Sequence, residues 1–233
     1  MKRKLFIVIV IILVIFISIF LILNRSKDNP DGLKFKEEYE KYNNIETDDG
    51  YVYPTVTIDK NNPMYYATGK EIIKLLKSGT GIIFFGSPTD PWSRNAINVL
   101  LDASSSTAID KIYYMDLTKK YDFYEVKNGQ VINTREASDD YLEMVKILDK
   151  HLNNYILNND DDYIDTNIKR IFMPFVIFVK EGKIISTREG TTASHINNGN
   201  GYIELQKGEI NELYNYYVDK MIIIADASCD KKC

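Results

Sequence analysis

Cys229 and Cys233 are the only thiols in a chain of 233 residues, and they stand four apart in the terminal stretch SCDKKC. Lys231 and Lys232 lie between them, and their charge favours thiolate. Three chemistries fit this pair. A local disulfide would pin the chain end, closing so short a loop that little entropy is gained. A working redox pair would use the tail to exchange disulfides with partners or to reach into a groove elsewhere on the chain. A metal site would need His151 and His195 as further ligands, and both read as surface or insertion residues. No metal or cofactor is expected.

The second stretch of interest is FFGSPTDPWSRNAI, residues 84–97. An apolar run ends in a glycine-bounded loop, and Asp90 then stands directly before a proline. Asp at an N-cap accepts N–H bonds from the first helical turn, and proline at the next position has no N–H to leave unpaired. Its negative charge also suits the helix dipole. A general acid at Asp90 is disfavoured, because a capping aspartate is held as an anion and no histidine or second carboxylate lies near it in sequence. The acidic run NNDDDYID, residues 158–165, lacks the glycine and the terminal Glu of an EF-hand loop and reads as solvated loop.

These residues need a scaffold, and the rest of the chain supplies one. Phe35, Tyr39 and Tyr42 recur at helical spacing, and YPTVTID around Val56 and Ile58 alternates as a strand does. Thr68 and Glu71 form a capping box ahead of Ile72, Ile73, Leu75 and Leu76. GIIFFG reads as a strand covered on both faces, and a helix follows from Pro91 to about Ala103. KIYYMDL, residues 111–117, is a second central strand. Ser138 then caps a helix whose stripe runs through Tyr141, Met144, Val145, Leu148, Leu152 and Tyr155. MPFVIFVKEGKIIST predicts a hairpin turning at Glu181-Gly182, and a last helix spans about Gly208 to Ile224. With 45% hydrophobic residues the chain can build one core. The order predicts an α/β fold, with a central mixed sheet flanked by helices in three layers.

This layout resembles the thioredoxin-like superfamily over residues 56–224. The strand running into FFGSPTDPWS is similar to the strand that leads into C-x-x-C, nearest the subset with Cys-Pro-Trp-Cys, and Asp90 and Ser93 stand at the two cysteine positions. FMPFVIFVKEGKII resembles the segment in which a cis proline, here Pro174, begins the hairpin facing the active site. The tail helix closes the sheet in the family's place. Neither Asp90 nor Ser93 can attack a disulfide, and Phe84 stands where many members carry a buried carboxylate, so the resemblance implies a degenerate site. It also implies a groove formed by Trp92, Met173 and Pro174, able to pair with an extended segment of a partner protein. The tethered extracytoplasmic members tend to end in a cysteine pair, which fits the redox alternative at Cys229 and Cys233 as well as the structural one.

Leu5–Leu23 is apolar except for Ser18 and long enough, at about 1.5 Å per residue, to span a bilayer. Lys2, Arg3 and Lys4 precede it, placing the remaining chain outside. NRSKDNPDG follows as a stalk; a cleaved signal peptide is the rival reading, against which stand the length of the apolar run and the stretch LILNRSKDN, which offers no small-residue cleavage site. Residues 31–233 carry 24 basic and 32 acidic side chains, a net of −8, which argues against nucleic-acid binding. The expected organisation is an anchor over 1–24, a stalk and leading helix over 25–50, a domain over 51–228 with a helical insertion at about 118–170, and a cysteine tail over 229–233. The insertion would cover the site or choose its partner.

Overall fold

The computed structural model describes residues 29–127, 129–159 and 162–229. The expected anchor and Cys233 lie outside them, and among the described residues no helix is long and apolar enough to cross a membrane. In chain order the elements are α1 (Pro30–Glu40), β1 (Met64–Tyr66), α2 (Gly69–Ser78), β2 (Gly81–Phe85), α3 (Pro91–Ser106) and β3 (Ile112–Met115). Then come β4 (Phe123–Lys127), β5 (Gln130–Arg135), α4 (Asp139–Leu148), β6 (Asn153–Asn159) and β7 (Asp162–Arg170). The chain closes with β8 (Phe175–Lys180), β9 (Lys183–Glu189), α5 (Ala193–Asn197) and α6 (Lys207–Cys229).

Five strands form one mixed sheet in the order β1-β3-β2-β8-β9. β3 runs parallel to both β1 and β2, whereas β8 is antiparallel to β2 and to β9. Because successive side chains point to opposite faces, β2 feeds two cores. Ile82 and Phe84 pack with α1, α3 and α6, while Ile83 and Phe85 pack with α2 and α4. All four are fully buried, so the continuous apolar run in GIIFF matches a strand sandwiched between helices.

Local signals set the helix starts. Thr68 and Glu71 form the reciprocal capping box, and Asp90 caps α3 with Pro91 at its first position. At the β8–β9 turn Glu181 and Gly182 both have positive φ, 52° and 73°, as a two-residue hairpin turn of matching twist requires. Gly182 is also held by its N–H to Gly79 O at 2.8 Å, and a Cβ there would meet Lys77 O at 2.3 Å.

Four expectations need correction. First, the core takes in α1, which the expected domain over 51–228 left outside. Phe35 and Tyr39 are fully buried, their rings stacked 4.3 Å apart, and Phe35 meets Tyr114 edge-on at 4.8 Å. Asn29 Nδ2 donates to Asn62 O (2.7 Å) and Met64 O (3.0 Å), and Asp31 accepts from Tyr66 N on the edge strand (3.0 Å).

Second, residues 53–59 are extended but join no sheet; the strand expected around Val56 and Ile58 is displaced to Met64–Tyr66. Side chains replace the ladder. Asn43 donates to Val56 O (2.7 Å) and accepts from Val56 N (3.0 Å), Glu40 accepts from Ile58 N (2.9 Å), and Lys36 donates to Ile58 O (2.8 Å). Alternation therefore reports one buried face, whatever group pairs with the backbone.

Third, the insertion is mainly β, not helical. Two hairpins, β4–β5 and β6–β7, flank α4, and α4 packs against α2 as an ordinary crossover helix. The helix ends at Leu148, and Leu152 and Tyr155 continue its stripe only by coincidence of spacing, with Tyr155 lying in β6. Fourth, Asn158–Asn159 and Asp162–Asp165 of the acidic run belong to β6 and β7, not to a loop.

Candidate functional site

β2 ends at Phe85, and the chain turns through Ser87, Pro88 and Thr89 before Asp90 starts α3. Asp90 Oδ2 accepts the backbone N–H of Ser93 at 2.8 Å and the Ser93 hydroxyl proton in a short bond. Ser93 Oγ in turn accepts from Ser87 N at 3.2 Å, so the two side chains lock the turn to the helix. Burial pushes the Asp90 carboxyl up to about 6, against the hydrogen bonds from Ser93 and the Trp92 backbone that pull it down. Desolvation thus outweighs the cap, and the carboxyl takes up its proton nearer neutrality than an ordinary aspartate does.

One turn further, Arg94 is fully buried. It reaches no carboxylate. Nε donates to Pro54 O (2.8 Å), Nη1 to Tyr39 O (2.6 Å) and Pro88 O (3.1 Å), and Nη2 to Asn43 Oδ1 (2.6 Å). Tyr39 O belongs to the last turn of α1, where a cation also meets the negative end of the helix dipole. Arg94 thereby ties α1, the extended segment and the loop before Asp90 into one unit.

Opposite Asp90 lies the segment joining β7 to β8. The Met173–Pro174 peptide bond is cis, Pro174 is buried and Met173 is half-buried. Asp90 and Met173 line the same cleft, of about 390 Å³, together with Tyr121, Phe123, Tyr155 and Arg170. Among the described residues the N–H and C=O of Met173 have no hydrogen-bond partner. The aromatic wall comes from the inserted hairpins and the loop preceding them.

Arg170, at the end of β7, is 5% exposed and pairs with Asp122, which is 6% exposed. Its Nη2 donates to Asp122 Oδ1 at 2.6 Å and to Asp122 O at 2.7 Å. The guanidinium lies over the Tyr155 ring, 3.4 Å from its centroid, and 5.1 Å from that of Tyr121. Its Nε is buried and donates to nothing. Sequence reasoning missed Arg170 and the aromatic wall. The one available signal was a basic residue abutting the apolar run IFMPFVIFV.

Trp92 does not line this cleft. Its indole packs edge-on against His195, centroids 4.9 Å apart, and so closely over Gly201 that a Cβ there would meet the ring at 2.7 Å. The groove expected from Trp92, Met173 and Pro174 is corrected accordingly: Met173 lines the cleft, Pro174 is buried and does not line it, and Trp92 packs against His195 and Gly201 instead. His195 is fully buried, not on the surface, with Nδ1 2.7 Å from Thr191 Oγ1 and Nε2 2.7 Å from Ile203 O. A carbonyl can only accept, so Nε2 carries the proton and Nδ1 takes the Thr191 hydroxyl. Both nitrogens are engaged, which removes His195 from the ligand set considered for the cysteines. Of those, Cys229 ends α6 with its side chain outside the described residues, and Cys233 lies outside them altogether.

A larger hollow of about 1120 Å³ sits by the far end of α3, beside Asp59, Asp102 and Asp110. It holds none of Asp90, Ser93, Arg170, Met173 or Pro174. The smaller cleft is preferred because a protonatable carboxyl and a free peptide unit meet there. Comparison with family models, with curated proteins and with solved structures returned no match.

Proposed function

We propose that this chain is a thioredoxin-like domain tethered outside the membrane through residues 5–23, in which Asp90 and Ser93 replace the dithiol and the retained cleft binds an extended segment of a partner protein. The strand order with β8 and β9 antiparallel supports the fold reading, as does a cis proline next to the start of α3. The observation that carries the binding reading is that Asp90 and Met173 share one cleft while the Met173 peptide groups stay unpaired. Such groups accept strand-like pairing from an incoming chain, and the side-chain wall then selects it.

No thiol stands at positions 90 and 93. The Ser93 hydroxyl gives its proton to Asp90 and its oxygen is held by Ser87 N, so it is a structural group and not an activated one. A photoreactive amino acid at Met173 in cells tests the reading. Capture of a discrete extracytoplasmic protein above the level seen at an exposed distal position such as Lys183 is expected; capture no greater than at Lys183 would overturn it.

A further inference from the structure

The cleft holds a charge that the chain leaves unanswered. Asp90 is half-buried on its wall, and among the described residues neither Asp90 nor Asp116, on the loop after β3, forms an ion pair. The two carboxyls lie close enough for Asp116 to push the Asp90 carboxyl further up. Arg170 shares the wall but brings no free charge, because it is buried with its guanidinium turned onto the equally buried Asp122. Arg135 packs on the Tyr121 ring, 4.9 Å from its centroid, and does not line the cleft. Residues 31–233 carry a net of −8, so the wider field also draws cations. A carboxylate drawn out of water without a counter-ion is costly, and a bound cation offsets that cost. An anionic group adds a like charge instead, and an uncharged one leaves the carboxylate unmatched.

The remaining walls fit the carrier of such a cation. At about 390 Å³ the cleft falls at the small end of ligand sites, with room for a long side chain. Phe123, 42% exposed, and the half-buried Met173 offer an apolar bed for an aliphatic stem that ends in a charge. The unpaired N–H and C=O of Met173 stand at the same cleft to hold a main chain. We infer that the Asp90 cleft is a subsite for a lysine or arginine side chain of an extended polypeptide, its cationic head paired with the Asp90 carboxylate and its stem lying on Phe123 and Met173. The inference rests on the peptide-binding reading and names the residue class that reading leaves open.

The test uses the full chain in nanodiscs and pentapeptides labelled with an uncharged fluorophore, acetylated and amidated so that no terminal charge intrudes. Each is alanine with Lys, norleucine or Asp at the centre, followed by anisotropy at pH 7.5. A charge-assisted pair predicts that the Lys peptide binds about tenfold tighter than its uncharged norleucine counterpart, with the Asp peptide weakest. That preference should fade between pH 7.5 and 5, as Asp90, which titrates at about 6, takes up its proton. The other charged or titratable groups around Asp90 are Asp116, Arg170 with Asp122, and the tyrosines Tyr39 of α1, Tyr121, Tyr155 and Tyr202. Asp90→Asn, which still caps α3, should erase the preference. Thr89→Lys, an exposed change on the same wall, should erase it too by supplying the cation from the chain itself, and stands in should Asp90→Asn fail to fold. Norleucine binding as tightly as Lys, tighter binding of the Asp peptide, a preference unchanged at pH 5 or in either variant, or no binding of the Lys peptide would overturn the inference. The photocrosslink at Met173 is read separately: capture there without a Lys preference leaves the proposed function standing and removes only the cationic subsite, whereas loss of both removes the two together.

Discussion

Asp90 and Ser93 are joined side chain to side chain across the first turn of α3: the carboxylate takes both the Ser93 N–H, at 2.8 Å, and the Ser93 hydroxyl proton. Two opposed effects meet in this pair. The hydrogen bonds favour the ionised carboxyl, burial favours the neutral one, and burial prevails.

That balance predicts how stability varies with pH. The Asp90 carboxyl titrates at about 6 in the folded protein against an ordinary value of 3.8, so the folded state holds the proton more tightly. Its contribution is fully present below about 4 and is lost as pH rises through about 6. Glu71 has the opposite sign: the Thr68 backbone N–H, Tyr65 and the Thr68 hydroxyl hold it down at about 2, so its contribution is present above 4.5 and fades as pH falls toward 2. The two together place their combined maximum at about pH 4 to 4.5. Urea unfolding across pH 3–8 should show a fall from pH 5 to 7 that Asp90→Asn flattens, since Asn still caps the helix, and an acid limb that Glu71→Gln flattens. A wild-type curve that rises from pH 5 to 7 would contradict the assignment to Asp90.

Arg94 should be among the least replaceable residues in the chain. Arg94→Met leaves Pro54 O and Pro88 O without the donor they have inside the protein, and takes from Tyr39 O and Asn43 Oδ1 one of the donors they share with Tyr42 N and Val56 N. Orphaned buried acceptors of this kind predict a loss of roughly 2 to 4 kcal/mol. Arg94→Lys should recover little, because a point ammonium cannot span acceptors that a planar fork reaches together. Chemical denaturation gives the magnitude, and amide exchange over residues 30–40 should quicken first as α1 loosens.

Arg94 also shows where the sequence stops being legible. The capping box at Thr68, the Asp90-Pro91 start and the Glu181-Gly182 turn are local, each fixed by residues within four positions, and their signals survive in any context. The two-faced burial of β2 is legible for the same reason, from its unbroken apolar run. Arg94 belongs to α3 but satisfies groups 40 and 55 residues away, and nothing in SRNAI hints at that. The strand expected at Val56 failed similarly: alternation was real, but side chains of Asn43 and Glu40 took the place of a neighbouring strand. At the site, Asp90 and Met173 could be brought together only through the resemblance. The wall opposite them depended on folding 118–170 as hairpins, where a helical stripe running on by chance into Leu152 and Tyr155 pointed the other way.

The β8–β9 turn predicts a contrast between two glycines. Gly182 and Gly129 have nearly the same φ, 73° and 74°, so an added Cβ costs each about 1 kcal/mol of backbone strain. Only Gly182 has a neighbour in the way, Lys77 O at 2.3 Å, whereas nothing lies within 4 Å of a Cβ at Gly129. Gly182→Ala should therefore lose clearly more stability than Gly129→Ala, about 2 kcal/mol or more against about 1. Equal losses in urea would mean that the hairpin moves off α2 without cost.

The last prediction bears on the proposal that Asp90 and Ser93 replace a dithiol. The short contact between the Asp90 carboxylate and the Ser93 hydroxyl puts the two side-chain tips together at a helix start, the arrangement a disulfide between these positions would need. Asp90→Cys with Ser93→Cys, made with Cys229→Ser and Cys233→Ser so that no other thiol competes, should oxidise to a monomeric disulfide that a thiol count detects. The helix N-terminus lowers the pKa of a cysteine at 90, while the burial that raises the Asp90 carboxyl opposes it and keeps the thiolate fraction small. Slow but measurable insulin reduction is expected from the double variant and none from either single one. A double variant that forms no bond between 90 and 93, or that oxidises only between molecules, would mean the turn has been reshaped beyond thiol geometry and would remove the main support for reading it as a replaced C-x-x-C.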